Sequence, residues 1–134
     1  MRQKIIITRD NSSSFERLKR ELEKKGFEVF VVRANGEELV SALKAETPNV
    51  LVMDAFMEKF DALFVLETFG RQFKKAGTTV FIKAALKNRR FEKMILEKGA
   101  DAFLLKPVSA EDLTGEKVTL EKSRRKRKLS FSRI

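Results

Sequence analysis

The chain has 134 residues, of which 43% are hydrophobic and 36% are charged, and its formal net charge is +10. This length suits one globular domain, and no apolar run approaches the roughly 18 residues of a membrane span. The chain has no Cys and no His, which excludes disulfide scaffolds, thiolate catalysis, histidine phosphotransfer and most transition-metal sites. Carboxylates, lysines, arginines, hydroxyls and backbone amides must carry any chemistry. The start MRQKIIITRD lacks the ordered regions of a secretory signal peptide, which predicts a cytoplasmic protein.

Short apolar clusters that lack internal turn signals are predicted to be strands. In chain order they are Ile5–Ile7, Val29–Val32, Val50–Met53, Val80–Ile82 and Phe103–Leu105. Between them, apolar residues recur at helical spacing: Phe15, Leu18 and Leu22; Leu39, Val40 and Leu43; Leu63, Leu66, Phe69 and Phe73; and Phe91, Met94 and Ile95. The spacing therefore predicts the order βαβαβαβαβ.

Helix boundaries carry their own signals. The first helix is predicted to begin at Asn11 or the serines after it, with Ser13 and Glu16 at capping-box spacing, and the second at Asn35. Three predicted helix ends share lysines and a glycine that favours a left-handed cap, namely Lys25-Gly26, Lys75-Ala76-Gly77 and Lys98-Gly99.

Strands that are apolar throughout and alternate with helices predict a parallel sheet covered on both faces. Ligands of such sheets bind at the carboxyl ends of the strands. The last helix is the exception to the pattern. Ser109 could cap it, but Thr114 and Gly115 follow Leu113, so that we expect a short or irregular helix.

Three charged residues fall at predicted strand ends. Asp54 ends the apolar run LVMD, Asp10 follows the first strand, and Lys106 follows the fifth. Taken alone, Asp54 could be a turn or helix-capping residue. Together, two carboxylates can hold Mg²⁺ through oxygen, and a lysine can neutralise a phosphoryl group.

From Lys4 to about Leu113, the sequence resembles the receiver domain of two-component response regulators. The strongest matches are Asp54 in LVMDAFM and Lys106-Pro107 in GADAFLLKP. The resemblance implies a flavodoxin-like (CheY-like) α/β fold, which is a doubly wound, five-stranded parallel sheet with (βα)5 topology.

The resemblance also implies a role for individual residues. It makes Asp54 the phosphoacceptor, Lys106 the lysine that contacts the phosphoryl group, and Asp10 a magnesium ligand together with Asp54. Pro107 matches a proline that is usually joined by a cis peptide bond, and Phe103 matches the aromatic switch position.

Two departures from the family pattern affect this pocket. Arg9 stands where the family has the first of its paired acids, and its guanidinium beside Asp10 and Asp54 could take the space and charge of Mg²⁺. Mg²⁺ binding is then expected to be weak or absent; the alternative is that Arg9 turns into solvent. Ala84 stands where the family has a hydroxyl, and a methyl group cannot donate that hydrogen bond. For Lys83, we favour a solvent-facing side chain over one at the pocket rim.

The expected function is that of a receiver-like domain of a phosphorelay, which acts by protein–protein contact and in which phosphorylation of Asp54 is impaired. The expected partner is a histidine kinase or another signalling protein, and a homodimer is a further option. No enzyme acting on a free substrate is expected; at most, the domain would catalyse its own aspartyl phosphorylation and dephosphorylation. The first alternative is a working Mg²⁺-dependent phosphoacceptor.

The second alternative rests on the C-terminal tail. Residues 116–134 hold eight Lys and Arg against two Glu, and we separate them as a basic tail or the start of a linker from a domain at residues 1–115. A charge run is usually solvated. The five successive cations from Arg124 to Lys128 could instead bind nucleic-acid phosphates nonspecifically.

Overall fold

The structure of the protein is a computed structural model, and it describes residues 2–11 and 13–114. Each predicted strand lies within an observed strand, and strands and helices alternate in the predicted order. The strands are β1 (Lys4–Arg9), β2 (Glu28–Arg33), β3 (Val50–Asp54), β4 (Thr79–Ala84) and β5 (Ala102–Leu105). The helices are α1 (Phe15–Lys24), α2 (Gly36–Ala45), α3 (Ala62–Ala76), α4 (Arg89–Glu97) and α5 (Ala110–Leu113).

The strands form one parallel sheet in the order β2-β1-β3-β4-β5. Because all of them run the same way, their carboxyl ends meet at one edge. The chain moves outward from β1 in both directions, to β2 on one side and to β3 on the other. Such a switch point is where doubly wound sheets bind their ligands. The predicted flavodoxin-like fold is confirmed.

Helices pack against both faces of the sheet. Alternate residues of a strand point to opposite faces and so belong to different core clusters. Ile5 and Ile7 of β1 belong to a core cluster with Phe15 of α1 and Leu113 of α5. Ile6 belongs to a second cluster, to which α2, α3 and α4 contribute. β3 is buried at every position, as expected for the central strand of a sheet covered on both sides.

The helix starts lie where the sequence signals place them, but the capping box predicted for α1 does not form. The side chain of Asn35 accepts hydrogen bonds from the backbone N–H groups of Glu37 and Glu38, as a helix cap does. At α1 a serine is indeed the cap, but it is Ser14, and its side chain makes no capping hydrogen bond. The capping box predicted for Ser13 is wrong, because the later start places Arg17 at the third helical position.

The last helix is short, as predicted. α5 has four residues, and Ser109 and Asp112 form a reciprocal capping box at its start. Thr114 has an extended backbone, so the helix ends at Leu113. Within residues 2–11 and 13–114, no helix is both long and apolar enough to cross a membrane. The basic tail at residues 116–134 lies outside the described residues.

Candidate functional site

Three predicted site residues meet at the carboxyl edge of the sheet. Asp54 is the last residue of β3, Asp10 follows β1, and Lys106 follows β5. The ammonium of Lys106 lies 2.6 Å from Oδ1 of Asp54 and 3.3 Å from Oδ2 of Asp10. The convergence expected from the strand order is therefore present.

A second ammonium reaches the same two carboxylates. Nζ of Lys83 lies 3.3 Å from Oδ2 of Asp10 and 3.7 Å from Oδ2 of Asp54, and the residue is only 2% exposed. The expectation that Lys83 faces solvent is wrong. Its strand position explains the difference, because the register of β3 and β4 sets Lys83 beside Asp54. Lys83 also shares a face of β4 with Phe81, which lies in the core beneath α1 and α5.

Thr8 holds Asp54 from the other side. Its buried hydroxyl donates a hydrogen bond of 2.6 Å to Oδ2 of Asp54 and accepts one of 2.9 Å from the Asp54 backbone N–H. Thr8 is not among the predicted site residues. The signal available in the sequence was a hydroxyl residue at the end of the apolar run of β1, directly before Arg9 and Asp10.

The charges of the site affect the protonation of Lys106. Burial lowers the pKa of this ammonium, but its hydrogen bonds to Asp54 and Asp10 and the negative charges of both carboxylates outweigh that effect. The pKa of Lys106 is therefore raised above its ordinary value of 10.5. Lys106 stays positively charged throughout the neutral range.

Arg9 does not take the position expected for it. Its guanidinium lies 3.2 Å from Oε1 of Glu16 in the first turn of α1, and its side chain is 54% exposed. The guanidinium also lies 5.7 Å from the ring centre of Phe15. Pairing with Glu16 at the surface avoids the desolvation that entry into the pocket would require. The extra buried positive charge therefore comes from Lys83 and not from Arg9.

The remaining predicted site residues lie around this cluster. Ala84 is the buried last residue of β4 and belongs to the core cluster against which Phe103 packs. The ring of Phe103 meets Phe91 edge to face at 6.5 Å between centroids. The peptide bond between Lys106 and Pro107 is cis.

The residues at this edge do not fit a divalent metal ion. Mg²⁺ prefers several oxygen ligands and a site of net negative charge. Within the described ranges, no group of three or more Asp, Glu, His or Cys could hold a metal. The two carboxylates that are present, Asp10 and Asp54, already contact two ammonium groups, Lys83 and Lys106. The charges of these four side chains cancel.

One protein family matches most of this chain. A family model described as the response regulator receiver domain matches residues 5–116. The Bacillus subtilis alkaline phosphatase synthesis transcriptional regulatory protein PhoP is 31% identical over 114 residues, which are 84% of this chain and 46% of PhoP. The probable transcriptional regulator ycf27 of Porphyridium aerugineum is 31% identical over 112 residues, which are 84% of this chain and 45% of ycf27. The chain thus spans less than half the length of these relatives.

Solved structures share the same architecture. The signal receiver domain of a putative Luxo repressor protein from Vibrio parahaemolyticus aligns with a TM-score of 0.74 at 22% identity, over 96% of this chain and 95% of that one. The receiver domain of a signal transduction histidine kinase from Syntrophus aciditrophicus aligns with a TM-score of 0.69 at 29% identity, over 90% of both chains. The first of these likenesses concerns the fold alone.

Proposed function

Because the chain belongs to the family of response regulator receiver domains, we propose that it signals through protein–protein contact and that phosphorylation of Asp54 is impaired. In this proposal, Asp54 occupies the phosphoacceptor position and Lys106 the position that contacts a phosphoryl group. The partner is a histidine kinase or another signalling protein. The domain turns over no free substrate.

The engagement of both Asp54 oxygens is the observation that carries the proposal. A carboxylate nucleophile must aim a lone pair at phosphorus. Oδ2 of Asp54 lies between the hydroxyl of Thr8 and the ammonium of Lys83, and Oδ1 faces the ammonium of Lys106. An incoming phosphoryl group would have to displace one of these partners. At about 4 Å, one unlike-charge pair attracts by roughly 4 kcal/mol at an effective dielectric near 20.

The departure expected at Ala84 does not bear on this pocket. Its methyl group is buried in the same core cluster as Ile82 and Ile95. Lys83 and Asp54 lie on the other face of the sheet, because alternate residues of a strand point to opposite faces. A hydroxyl group at position 84 would therefore point away from Asp54.

One observation favours the alternative of a working phosphoacceptor. Asp10, Asp54 and Lys106 lie within contact distance of one another at the switch point of the sheet. In that alternative, a histidine kinase supplies the phosphoryl group, Asp54 attacks phosphorus in line, and Lys106 stabilises the charge of the transition state.

Incubation with acetyl phosphate separates the two candidates. The full chain is treated with acetyl phosphate and Mg²⁺, and its intact mass is measured over time. We expect no phosphoryl adduct on the wild-type chain. The matched control is Asp54→Asn, which removes the acceptor oxygen and preserves the shape of the side chain. An adduct on the wild type that is missing from Asp54→Asn would establish the working phosphoacceptor.

A further inference from the structure

We propose that the ammonium of Lys83 is a built-in cation that takes the place of a divalent metal between Asp10 and Asp54 and excludes Mg²⁺ from the site. The inference deepens the proposed function and rests on it for the identity of the pocket. It assigns a role to a residue that the sequence alone favoured as solvent-facing.

The position of Lys83 is set by the strand that carries it. Parallel pairing places Lys83 of β4 beside Asp54 of β3, two positions after the buried Phe81. Its ammonium lies 5.6 Å from the ring centre of Phe15, so that an aromatic face covers it where the carboxylates do not. Only 3% of the side chain is exposed. This lysine is therefore held in the pocket by packing as well as by charge.

The two lysines of the site differ in this respect. Lys106 has 28% of its side chain exposed and enters from the loop after β5, so that its ammonium can move toward solvent. Lys83 lacks this exposure, because its side chain is buried beneath the residues that cover β4. Both ammonium groups therefore contact both carboxylates, and Lys83 is the one that burial keeps in place.

Charge balance gives the reason for metal exclusion. A buried ammonium is tolerated only where opposite charges compensate its desolvation. Asp10 and Asp54 provide that compensation for Lys83 and Lys106 together. A bound Mg²⁺ would add two uncompensated positive charges close to both ammonium groups. Removal of the Lys83 charge would leave two carboxylates and one lysine, so that the site would carry a net charge of −1 and attract a divalent cation, which the neutral wild-type cluster does not.

Metal titration of variants at Lys83 tests the inference without any phosphodonor. The full chain, Lys83→Met and Lys83→Arg are titrated with MgCl₂ in an isothermal calorimeter. Methionine matches the length of the lysine stem and removes its charge, whereas arginine retains the charge. We expect Lys83→Met to bind Mg²⁺ at least about tenfold more tightly than the wild type, because the competing cation is gone. Lys83→Arg should behave like the wild type, and Asp54→Asn in the Lys83→Met background should abolish the gain.

Two results would overturn the inference. In the first, the wild type and Lys83→Met bind Mg²⁺ equally well. In the second, neither of them binds Mg²⁺. Either result would mean that Lys83 is not the group that excludes the metal. Should Lys83→Met fail to fold, Lys83→Gln serves in its place, and the readout is the melting temperature with and without Mg²⁺. Mg²⁺ is expected to raise the melting temperature of Lys83→Gln and to leave that of the wild type unchanged, and an equal effect on both counts against the inference.

The titration and the phosphorylation assay can each contradict one proposal without contradicting the other. A wild-type chain that takes a phosphoryl group from acetyl phosphate without Mg²⁺ would overturn impaired phosphorylation and would support a built-in cation. A wild-type chain that binds Mg²⁺ tightly and still shows no adduct would overturn the role of Lys83 and would support impaired phosphorylation.

Discussion

A carboxylate at the end of a buried strand requires compensation, and the side chain of Asp54 receives it from three neighbours. Thr8 donates a hydrogen bond, and Lys83 and Lys106 supply positive charge. Burial of an ionised carboxylate without such partners would be strongly unfavourable. The cost of burying the side chain of Asp54 is therefore offset within the fold by one hydroxyl and two ammonium groups.

The raised pKa of Lys106 predicts a loss of stability at high pH. The folded state holds the proton of Lys106 more tightly than the unfolded chain, so its contribution to stability is complete below about pH 10.5 and disappears as the pH rises through the folded-state pKa. We expect the free energy of unfolding, from urea titrations followed by circular dichroism, to fall above that pH. The fall should be smaller in Lys106→Arg, because a guanidinium keeps its charge there. Parallel curves for the two proteins would contradict this prediction.

At the scale of the elements, the first turn of α2 packs closely against the loop that follows Asp54. The N–H of Gly36 donates a hydrogen bond of 2.7 Å to the carbonyl of Glu58, and Asn35 and Glu58 form an isolated parallel bridge. A Cβ atom at Gly36 would lie 2.3 Å from the carbonyl oxygen of Phe60. The absence of a side chain at Gly36 thus lets this loop approach the helix.

Gly36→Ala is expected to destabilise the domain by about 1–3 kcal/mol, because the added methyl group overlaps the backbone of Phe60. The matched control is Gly70→Ala in the interior of α3, where the nearest atom to an added Cβ is the carbonyl oxygen of Lys98 at 3.8 Å. That variant should stabilise the domain by about 0.5–1 kcal/mol, as alanine does in a helix. Urea denaturation of both variants measures the difference, and equal effects would rule out the close approach.

The helix boundaries show where local sequence signals suffice. Asn35 is the only capping candidate before the apolar residues of α2, and it caps the helix as predicted. Before α1, adjacent serines offer the same hydroxyl, and the capping-box spacing of Ser13 and Glu16 indicated the wrong one. Ser14 is the cap in the structure, directly before Phe15, which is buried in the core. The helix thus begins at the buried Phe15, although the side chain of Ser14 makes no capping hydrogen bond.

At the scale of the whole molecule, positive charge is concentrated outside the described domain. Residues 116–134 carry a net charge of +6, from eight Lys and Arg against two Glu. The tail is interpreted as a solvated charge run, as a linker to a further domain, or as a phosphate-binding segment. The last interpretation predicts binding to DNA that weakens steeply as salt increases.

Deletion of residues 116–134 tests the tail. If the tail binds phosphates, the full chain should bind a fluorescent duplex in anisotropy measurements, with affinity falling steeply between about 50 and 200 mM salt. The shortened chain should not bind, because its remaining charge of +4 is spread along residues 1–115. Binding that survives the deletion would exclude the tail as the segment that binds nucleic acid. If the full chain does not bind DNA, the tail is interpreted as a linker or as a solvated charge run.

Alternation of apolar clusters and helical spacings was enough to predict the parallel sheet, its covered faces, the short last helix and the meeting of Asp10, Asp54 and Lys106 at one edge. These features follow from periodicity and chain order, which are local or topological. The directions of the long cationic side chains follow from neither periodicity nor chain order. Lys83 turns inward because the strand register sets it beside Asp54, and Arg9 turns outward because α1 presents Glu16 within 3.2 Å. Only the tertiary structure brings those partners together, since the energy of a charged side chain depends on groups that are distant in the sequence.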